Sequence, residues 1–150
     1  MNQNNIAEIQ ISYSSRIAKK YRIKITGSKS AYKSLLNSWN KDLIEIQEEF
    51  KILLLNNSNE VLGIQSLSKG STNGVVVDLK LLFATALKAC ASSIIIAHNH
   101  PSGSLKPSNT DLELTKKIMK SCKFLDIKLL DHLIITQEDY TSLADDGLLN

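Results

Sequence analysis

Apolar residues fall into two kinds of pattern along the chain, and the continuous runs predict strands. Phe50 to Leu55 is one such run, and Ser93 to Ala97 is another, whose unbroken apolar stretch is typical of a strand buried on both faces. Glu60 to Leu67 follows the first run after the polar turn Asn56 to Asn59, so these two runs predict a hairpin. Ile127 to Ile135 predicts a last strand.

Three other segments have the spacing of amphipathic helices. Thr26-Gly27-Ser28 predicts a turn and a helix cap, and the helix that follows has Leu35, Leu36 and Trp39 on its buried side. The second helix is largely apolar and is capped by an aspartate. The helices are expected over Lys29 to Asn40, from Asp78 to about Cys90, and from Ser108 to about Phe124.

Strands and helices that share one sheet predict a single domain of the α/β or mixed α+β class. We place this domain at residues 26–150, with helices flanking the sheet, and expect residues 1–25 to form a loosely attached arm. The remaining expectations are a short strand at Tyr21 to Ile25, a loop at Gly70 to Gly74, a short extended piece at Val75 to Val77, and a short helix or turn from Asp139 onward.

Composition argues against several classes of protein. An apolar fraction of 43% is that of a globular domain, and no apolar run reaches the ~20 residues that span a bilayer. The opening Met1 to Asn5 lacks the plan of a secretory signal, which predicts a cytoplasmic protein without membrane association. A net charge of +3, with two arginines and 5% aromatics, gives no signature of a nucleic-acid binder. The basic stretch Arg16 to Lys24 fits a solvated strand edge better than a phosphate contact.

The two cysteines, Cys90 and Cys122, lie within predicted helices and form no CxxC pair. This spacing argues against a thiolate zinc site. It predicts two free, buried thiols.

Two histidines directly follow the second apolar run. His98 and His100 are two residues apart, and on an extended chain such residues project to the same side. Both imidazoles can therefore reach one point just beyond the strand end, where open sheets place their binding sites.

The helix after these histidines carries a carboxylate on its apolar side. At about 100° per residue, Asp111 lies about 20° from Ile118, inside a stripe that includes Leu114, Cys122 and Leu125. A buried, unpaired charge costs several kcal/mol, so Asp111 needs a partner. A metal cation shared with the two histidines is such a partner.

Each half of this pattern also has an ordinary structural explanation. Ser108 and Asp111 fit a capping box, with Ser108 as the N-cap, and paired histidines occur by chance in loops. The combined pattern H-x-H-x(7)-S-x-x-D favours a metal site, with which the capping role is compatible. His132 is expected to be a hydrogen-bonded core histidine rather than a ligand.

Two histidines and one aspartate leave the fourth position of a tetrahedral zinc ion open for water, which is typical of a catalytic site. Zinc lowers the pKa of such a water to about 7, and a base must still take its proton. The pattern alone does not choose this base among four upstream glutamates: Glu45, Glu48, Glu49 and Glu60.

With these residues in place, the chain resembles the JAMM (JAB/MPN) metalloprotease family, and specifically its bacterial RadC-like branch. The resemblance extends from about Ser28 to the C-terminus. It rests on His98-Asn99-His100-Pro101-Ser102-Gly103, Pro107-Ser108, Asp111 and Asp131-His132-Leu133-Ile134. It implies a JAB/MPN-like domain with a curved mixed sheet, and one zinc ion per chain bound by His98, His100 and Asp111.

The resemblance also implies roles for two further residues. Glu48 would be the general base, because the branch places this glutamate two residues before a strand phenylalanine, here Phe50. Ser108 would help to hold the oxyanion of the tetrahedral intermediate. The implied reaction is hydrolysis of an amide, peptide or isopeptide bond in a peptide or protein. Substrate selection would fall to the loops Gly70 to Gly74 and Ser102 to Lys106.

Two other functions stay open. One is a DNA-repair-associated accessory protein of the RadC kind, whose metal site is structural or idle. Members of this branch commonly carry an N-terminal helix-hairpin-helix module that could bind DNA, and we expect this chain to have no room for it, which weakens the case for a nucleic-acid partner. The other is a metal-dependent nuclease, which is less favoured because two-metal phosphate chemistry needs more carboxylates.

Overall fold

The computed structural model describes residues 5–70 and 75–150 and shows a five-stranded mixed sheet with helices on both faces, which confirms the predicted mixed α/β class. The strands are β1 Glu49–Leu55, β2 Val61–Lys69, β3 Ser93–Asn99, β4 Lys128–Ile135 and β5 Tyr140–Ser142, in the spatial order β2-β1-β3-β4-β5. The α-helices of the described residues are α1 Ser28–Ser38, α2 Leu79–Lys88 and α3 Asn109–Phe124. None of these helices is both long and apolar enough to cross a membrane.

Strand direction decides which side chains become neighbours. β1 pairs antiparallel with β2 and β3, β3 pairs parallel with β4, and β5 pairs antiparallel with the end of β4. Helix α3 makes the crossover connection that the parallel pair requires. In this register Phe50 lies opposite His98, and Ile96 lies opposite His132. The two histidines are therefore carried on neighbouring strands.

Side chains alternate between two buried clusters, one on each face of the sheet. Helices α2 and α3 cover one face and α1 covers the other. On β3, Ile96 belongs to the α2–α3 cluster and Ala97 to the α1 cluster. Because successive side chains on a strand point to opposite faces, His98 faces α3, whereas Asn99 faces the α1 side.

The helix limits lie close to those predicted. Asp78 caps α2 and Ser108 caps α3, as expected. Helix α1 ends earlier than predicted because Trp39 has an extended backbone. The predicted buried side of α1 is confirmed at Leu35 and Trp39, whereas Leu36 is half-buried.

Two predicted segments differ from the structure. The tail from Asp139 onward is predicted to be a helix or turn, and residues 143–147 do form a turn, but Tyr140–Ser142 forms β5, because three residues suffice to pair with the open edge of β4. The strand expected at Tyr21 to Ile25 is reduced to a bridge between Lys24 and Glu60. Residues 5–18 of the arm are largely exposed and form no helix or strand.

The two cysteines differ in their surroundings. Cys122 is buried, as predicted, and burial raises the pKa of its thiol to about 11. The prediction of a buried thiol was wrong for Cys90, which is exposed. Cys90 lies beyond the end of α2 with a φ of 49°, at the turn that leads the chain toward β3.

Two loops were expected to flank the site. Of Gly70 to Gly74, only Gly70 belongs to the described residues. The loop from Ser102 to Lys106 turns at Gly103, whose φ of 82° lies in the left-handed region that favours glycine.

Candidate metal centre

Three parts of the fold bring the predicted chemical groups to the carboxyl end of β3. His98 lies on β3 itself, one residue before its end, and His100 follows the strand. Asp111 lies in the first turn of α3. Glu48 immediately precedes β1 and is two residues from Phe50, the partner of His98 across the sheet. Glu48 therefore lies on the same face as His98.

The four side chains converge on one point. His98 Nε2 lies 3.0 Å from His100 Nε2. Asp111 places Oδ1 3.2 Å from His98 Nε2 and Oδ2 3.3 Å from His100 Nε2. Glu48 Oε1 lies 3.8 Å from His98 Nε2. Glu48, His98 and His100 each offer a ligand atom within 4.8 Å of the other two, an arrangement that could hold a metal ion.

The hydrogen bond at Nδ1 of each imidazole determines whether its Nε2 faces the site with a lone pair. His100 Nδ1 lies 2.8 Å from the carbonyl oxygen of Ser104, which can only accept, so Nδ1 of a neutral ring carries the proton and Nε2 carries a lone pair. His98 Nδ1 lies 2.8 Å from His132 Nε2, so His98 also turns Nε2 toward the site. Facing lone pairs and carboxylate oxygens repel unless a cation or an extra proton lies between them.

The close approach of these side chains shifts their pKa values. The hydrogen bond with Asp111 is the main cause that raises the pKa of His100. Burial alone would raise the pKa of Asp111, but the hydrogen bonds that His100 and His98 donate when their Nε2 atoms are protonated outweigh it and hold this pKa well below its usual range. Burial raises the pKa of Glu48, although both histidines oppose the shift. Glu48 is thus a more basic carboxylate than an exposed glutamate.

The expected capping box is confirmed, and it coexists with these contacts. Ser108 Oγ accepts a hydrogen bond from Asp111 N at 3.0 Å, and Ser108 N donates to Asp111 Oδ2 at 2.8 Å. Ser108 Oγ only accepts a hydrogen bond in the cap, so the hydroxyl hydrogen of Ser108 can be donated elsewhere. Ser108 also lines the cleft that opens onto the histidines.

This cleft has a volume of about 470 Å³, within the range of small-ligand sites. Phe50, Val75 and Leu114 form its apolar part, and Pro101 and Ser102 continue its wall along the loop after β3. The cleft therefore combines an apolar wall with the side chains of Glu48, His98, His100 and Asp111.

The chain is similar to known proteins over most of its length. A family model described as "RadC-like JAB domain" matches residues 25–148. The chain belongs to this family. The recognised resemblance to the bacterial RadC-like branch is thereby confirmed.

Curated relatives of this RadC-like JAB domain extend beyond the matched region. The UPF0758 protein of Flavobacterium johnsoniae is 46% identical over 125 residues, which cover 83% of this chain and 53% of that protein. The UPF0758 protein of Porphyromonas gingivalis is 41% identical over 129 residues, which cover 85% of this chain and 56% of that protein. The UPF0758 protein of Clostridium acetobutylicum is 41% identical over 130 residues, which cover 85% of this chain and 54% of that protein. The chain thus spans about half the length of the curated relatives it matches. Their names state no activity, which has to be inferred from the site.

The sequence analysis missed Asn99, which holds the segment that carries Glu48 in place in this RadC-like JAB domain. Asn99, between the two motif histidines, is fully buried, and its Oδ1 accepts a hydrogen bond from Glu49 N at 2.7 Å. Its Nδ2 donates to the carbonyl oxygens of Ile44 at 2.7 Å and Gln47 at 2.9 Å. Asn99 therefore clamps the segment that carries Glu48. Strand alternation was the available signal, because it directs Asn99 away from the histidines into a core where a polar group needs partners.

His132 is a hydrogen-bonded core histidine, as predicted. Its side chain is fully buried between His98 and Thr115, whose Oγ1 lies 2.6 Å from His132 Nδ1. Burial holds the pKa of His132 well below its usual value, so the ring is neutral. Thr115 was missed, although it follows Asp111 by four residues and therefore shares its helix face.

Proposed function

We propose that this RadC-like JAB domain is a zinc-dependent hydrolase that cleaves an amide, peptide or isopeptide bond. The observation that carries the proposal is the convergence of His98, His100 and Asp111, with separations of 3.0, 3.2 and 3.3 Å between their facing atoms. Two ligands of a tetrahedral zinc ion lie about 3.3 Å apart, for bonds of about 2.0–2.1 Å to each. This donor set fits one zinc ion per chain.

The distances support different roles for the two carboxylates. Asp111 approaches both histidines at the separation expected between ligands of one ion. Glu48 lies farther out, 3.8 Å from His98. We therefore assign His98, His100 and Asp111 as the zinc ligands and Glu48 as the general base.

The residues around the ion complete the chemistry of hydrolysis. When bound, zinc would supply Lewis acidity and make a water molecule acidic enough to react near neutral pH. Glu48 would take the proton of the attacking water, a role that its raised pKa supports. Glu48 would then pass this proton to the amide nitrogen as the carbon–nitrogen bond breaks, which gives a carboxylic acid and an amine, and the acid loses its remaining proton to solvent. The Ser108 hydroxyl would donate to the oxyanion.

A peptide or protein is the substrate class that we propose. The apolar wall of Phe50, Val75 and Leu114 beside the reactive groups suits a neutral chain of amides. A phosphodiester suits the site less well, because two-metal phosphate chemistry needs more ligands than one pair of carboxylates provides.

Metal analysis and peptide hydrolysis together test this function. The purified chain is expected to hold about one zinc ion, because three ligands converge at one point, and His100→Ala is expected to lose it. The zinc-loaded protein should generate new amino termini in a mixed peptide library. A chelator should stop this cleavage, and added zinc should restore it.

One result of the same measurements would contradict the proposed hydrolase. Zinc bound at full occupancy without cleavage of any peptide or lysate protein would contradict the hydrolase. Salt-sensitive binding of duplex DNA in the same preparation would then favour the accessory function.

Asn99→Ala is expected to lower both stability and activity. It leaves the amide of Glu49 and the carbonyls of Ile44 and Gln47 without their buried partner, at a cost of about 2–4 kcal/mol in the free energy of unfolding. Release of the segment that carries Glu48 should lower kcat about 10- to 100-fold. Urea unfolding and initial rates, measured where the variant is fully folded, check both effects.

A matched control separates positioning from simple destabilisation. Asn56 makes comparable turn hydrogen bonds to Ser58 and Glu60 in the β1–β2 hairpin. Asn56→Ala should therefore lower stability and leave kcat unchanged. Equal kcat values for the folded Asn99→Ala and Asn56→Ala proteins would show that Asn99 does not position Glu48.

A further inference from the structure

A buried chain of hydrogen bonds leads from the backbone of α3 to the imidazole of His98. Thr115 Oγ1 lies 2.7 Å from the carbonyl oxygen of Asp111 and 2.6 Å from His132 Nδ1. His132 Nε2 lies 2.8 Å from His98 Nδ1. The three side chains are 0–2% exposed, so solvent offers them no alternative partners.

The direction of each hydrogen bond in this series follows from the one end that is fixed, the carbonyl oxygen of Asp111. A carbonyl oxygen can only accept, so the single hydroxyl hydrogen of Thr115 is donated to Asp111 O. Thr115 Oγ1 must then accept from His132, which places the ring proton of His132 on Nδ1. His132 Nε2 is left with a lone pair and accepts from His98 Nδ1.

The reverse direction is disfavoured by the same distances. If Thr115 donated to His132, its oxygen would face the carbonyl oxygen of Asp111 at 2.7 Å with no hydrogen between them. Two oxygen lone pairs at that separation repel, and burial prevents water from relieving the contact.

We propose that Thr115 and His132 are positioning residues that fix the neutral ring of His98 as the tautomer protonated at Nδ1, so that Nε2 is the nitrogen that faces the site and is available to a metal ion. Phe50 helps to hold the two rings, because it lies parallel to His98, at 9°, and edge-on to His132. The tautomer is a property of the folded chain, whereas its consequence for zinc binding rests on the proposed function. Metal-binding histidines generally need such an outer partner, and its loss lowers metal affinity about 10- to 100-fold.

Nuclear magnetic resonance of the metal-stripped protein tests the tautomer directly. The chain has three histidines, so long-range nitrogen–proton correlations of the rings can be assigned with single variants. His98 and His132 are both expected to show a protonated, pyrrole-like Nδ1, with a pyridine-like Nε2 in the neutral ring. A pyridine-like Nδ1 on either ring would overturn the proposal.

Variants at Thr115 test the origin of this tautomer. Thr115→Val keeps the shape but removes the acceptor for His132, so the His98 signals should shift or split and zinc affinity, measured against a competing chelator, should fall about 10- to 100-fold. Thr115→Ser keeps the hydroxyl and should restore both readouts. Unchanged nitrogen signals and unchanged affinity in Thr115→Val would overturn the proposal.

Thr85→Val is the matched control. Thr85 on α2 also donates its hydroxyl to the carbonyl four residues earlier, Leu81 O at 2.9 Å, and it is not among the residues that line the cleft. This variant should change neither the histidine signals nor zinc affinity, and equal effects at both threonines would overturn a specific role for Thr115. If the expected tautomers are found in a protein that binds no zinc, the positioning chain stands and the proposed function fails.

Discussion

Glu48→Gln is expected to abolish hydrolysis while the protein keeps its zinc. Glutamine has nearly the same shape as glutamate but cannot take a proton from the attacking water, and loss of a general base lowers kcat about 10²- to 10⁴-fold. The three assigned ligands are unchanged, so zinc content should stay near one per chain. Initial rates on a cleaved peptide and metal analysis of the same sample check the two halves of the prediction.

The zinc measurement also decides between two roles for Glu48. Glu48, His98 and His100 form a group that could itself hold an ion, so a variant that loses both zinc and activity would identify Glu48 as a ligand and contradict the base assignment. Glu45→Gln is the control, since Glu45 is an exposed glutamate three residues earlier. It should retain full activity.

The pH dependence of the proposed hydrolysis by the wild-type protein gives the same assignment a second test. A base must be ionised, so activity should fall as pH drops through the pKa of Glu48. Burial raises this pKa, whereas a bound zinc ion would lower it, so the acid limb of kcat/KM should be present in the wild type and absent from the residual activity of Glu48→Gln. An acid limb that persists unchanged in the residual activity of Glu48→Gln would argue against Glu48.

The parts of the fold that could be predicted are those in which one local pattern determines the outcome. The unbroken apolar run from Ser93 to Ala97 and the amphipathic repeat after Ser108 each make a single structure favourable. The strand and the helix that they predict lie within two residues of the limits of β3 and α3. Tyr140–Ser142 was missed because three residues carry too little pattern, and its pairing depends on an edge of β4 that exists only in the folded sheet.

The candidate site shows the same division between local and distant causes. His98, His100 and Asp111 could be proposed together because strand alternation and helix periodicity direct all three to one face. Glu48 was chosen only through family resemblance, since its proximity to His98 depends on the register between β1 and β3. The role of Asn99 depends on contacts with a distant segment, which no local spacing encodes.

Asp111→Asn is expected to separate the metal role of this residue from its role as a helix cap. The amide oxygen can still accept from Ser108 N, so α3 should remain folded. Removal of the negative ligand should weaken zinc binding on the order of 10³-fold or more, and hydrolysis should be lost with the metal. Competition with a chelator and circular dichroism measure the two properties.

Ser108→Ala is the complementary change, because it removes the other half of the same capping box. Loss of the cap should cost about 1 kcal/mol in the free energy of unfolding, and kcat should fall because the oxyanion donor is gone, yet zinc should remain bound. Asp78→Ala, which removes the cap of α2, should reproduce the loss of stability without the loss of activity. If Asp111→Asn kept its zinc, Asp111 would be a cap alone, and the ion would have to be held by Glu48, His98 and His100.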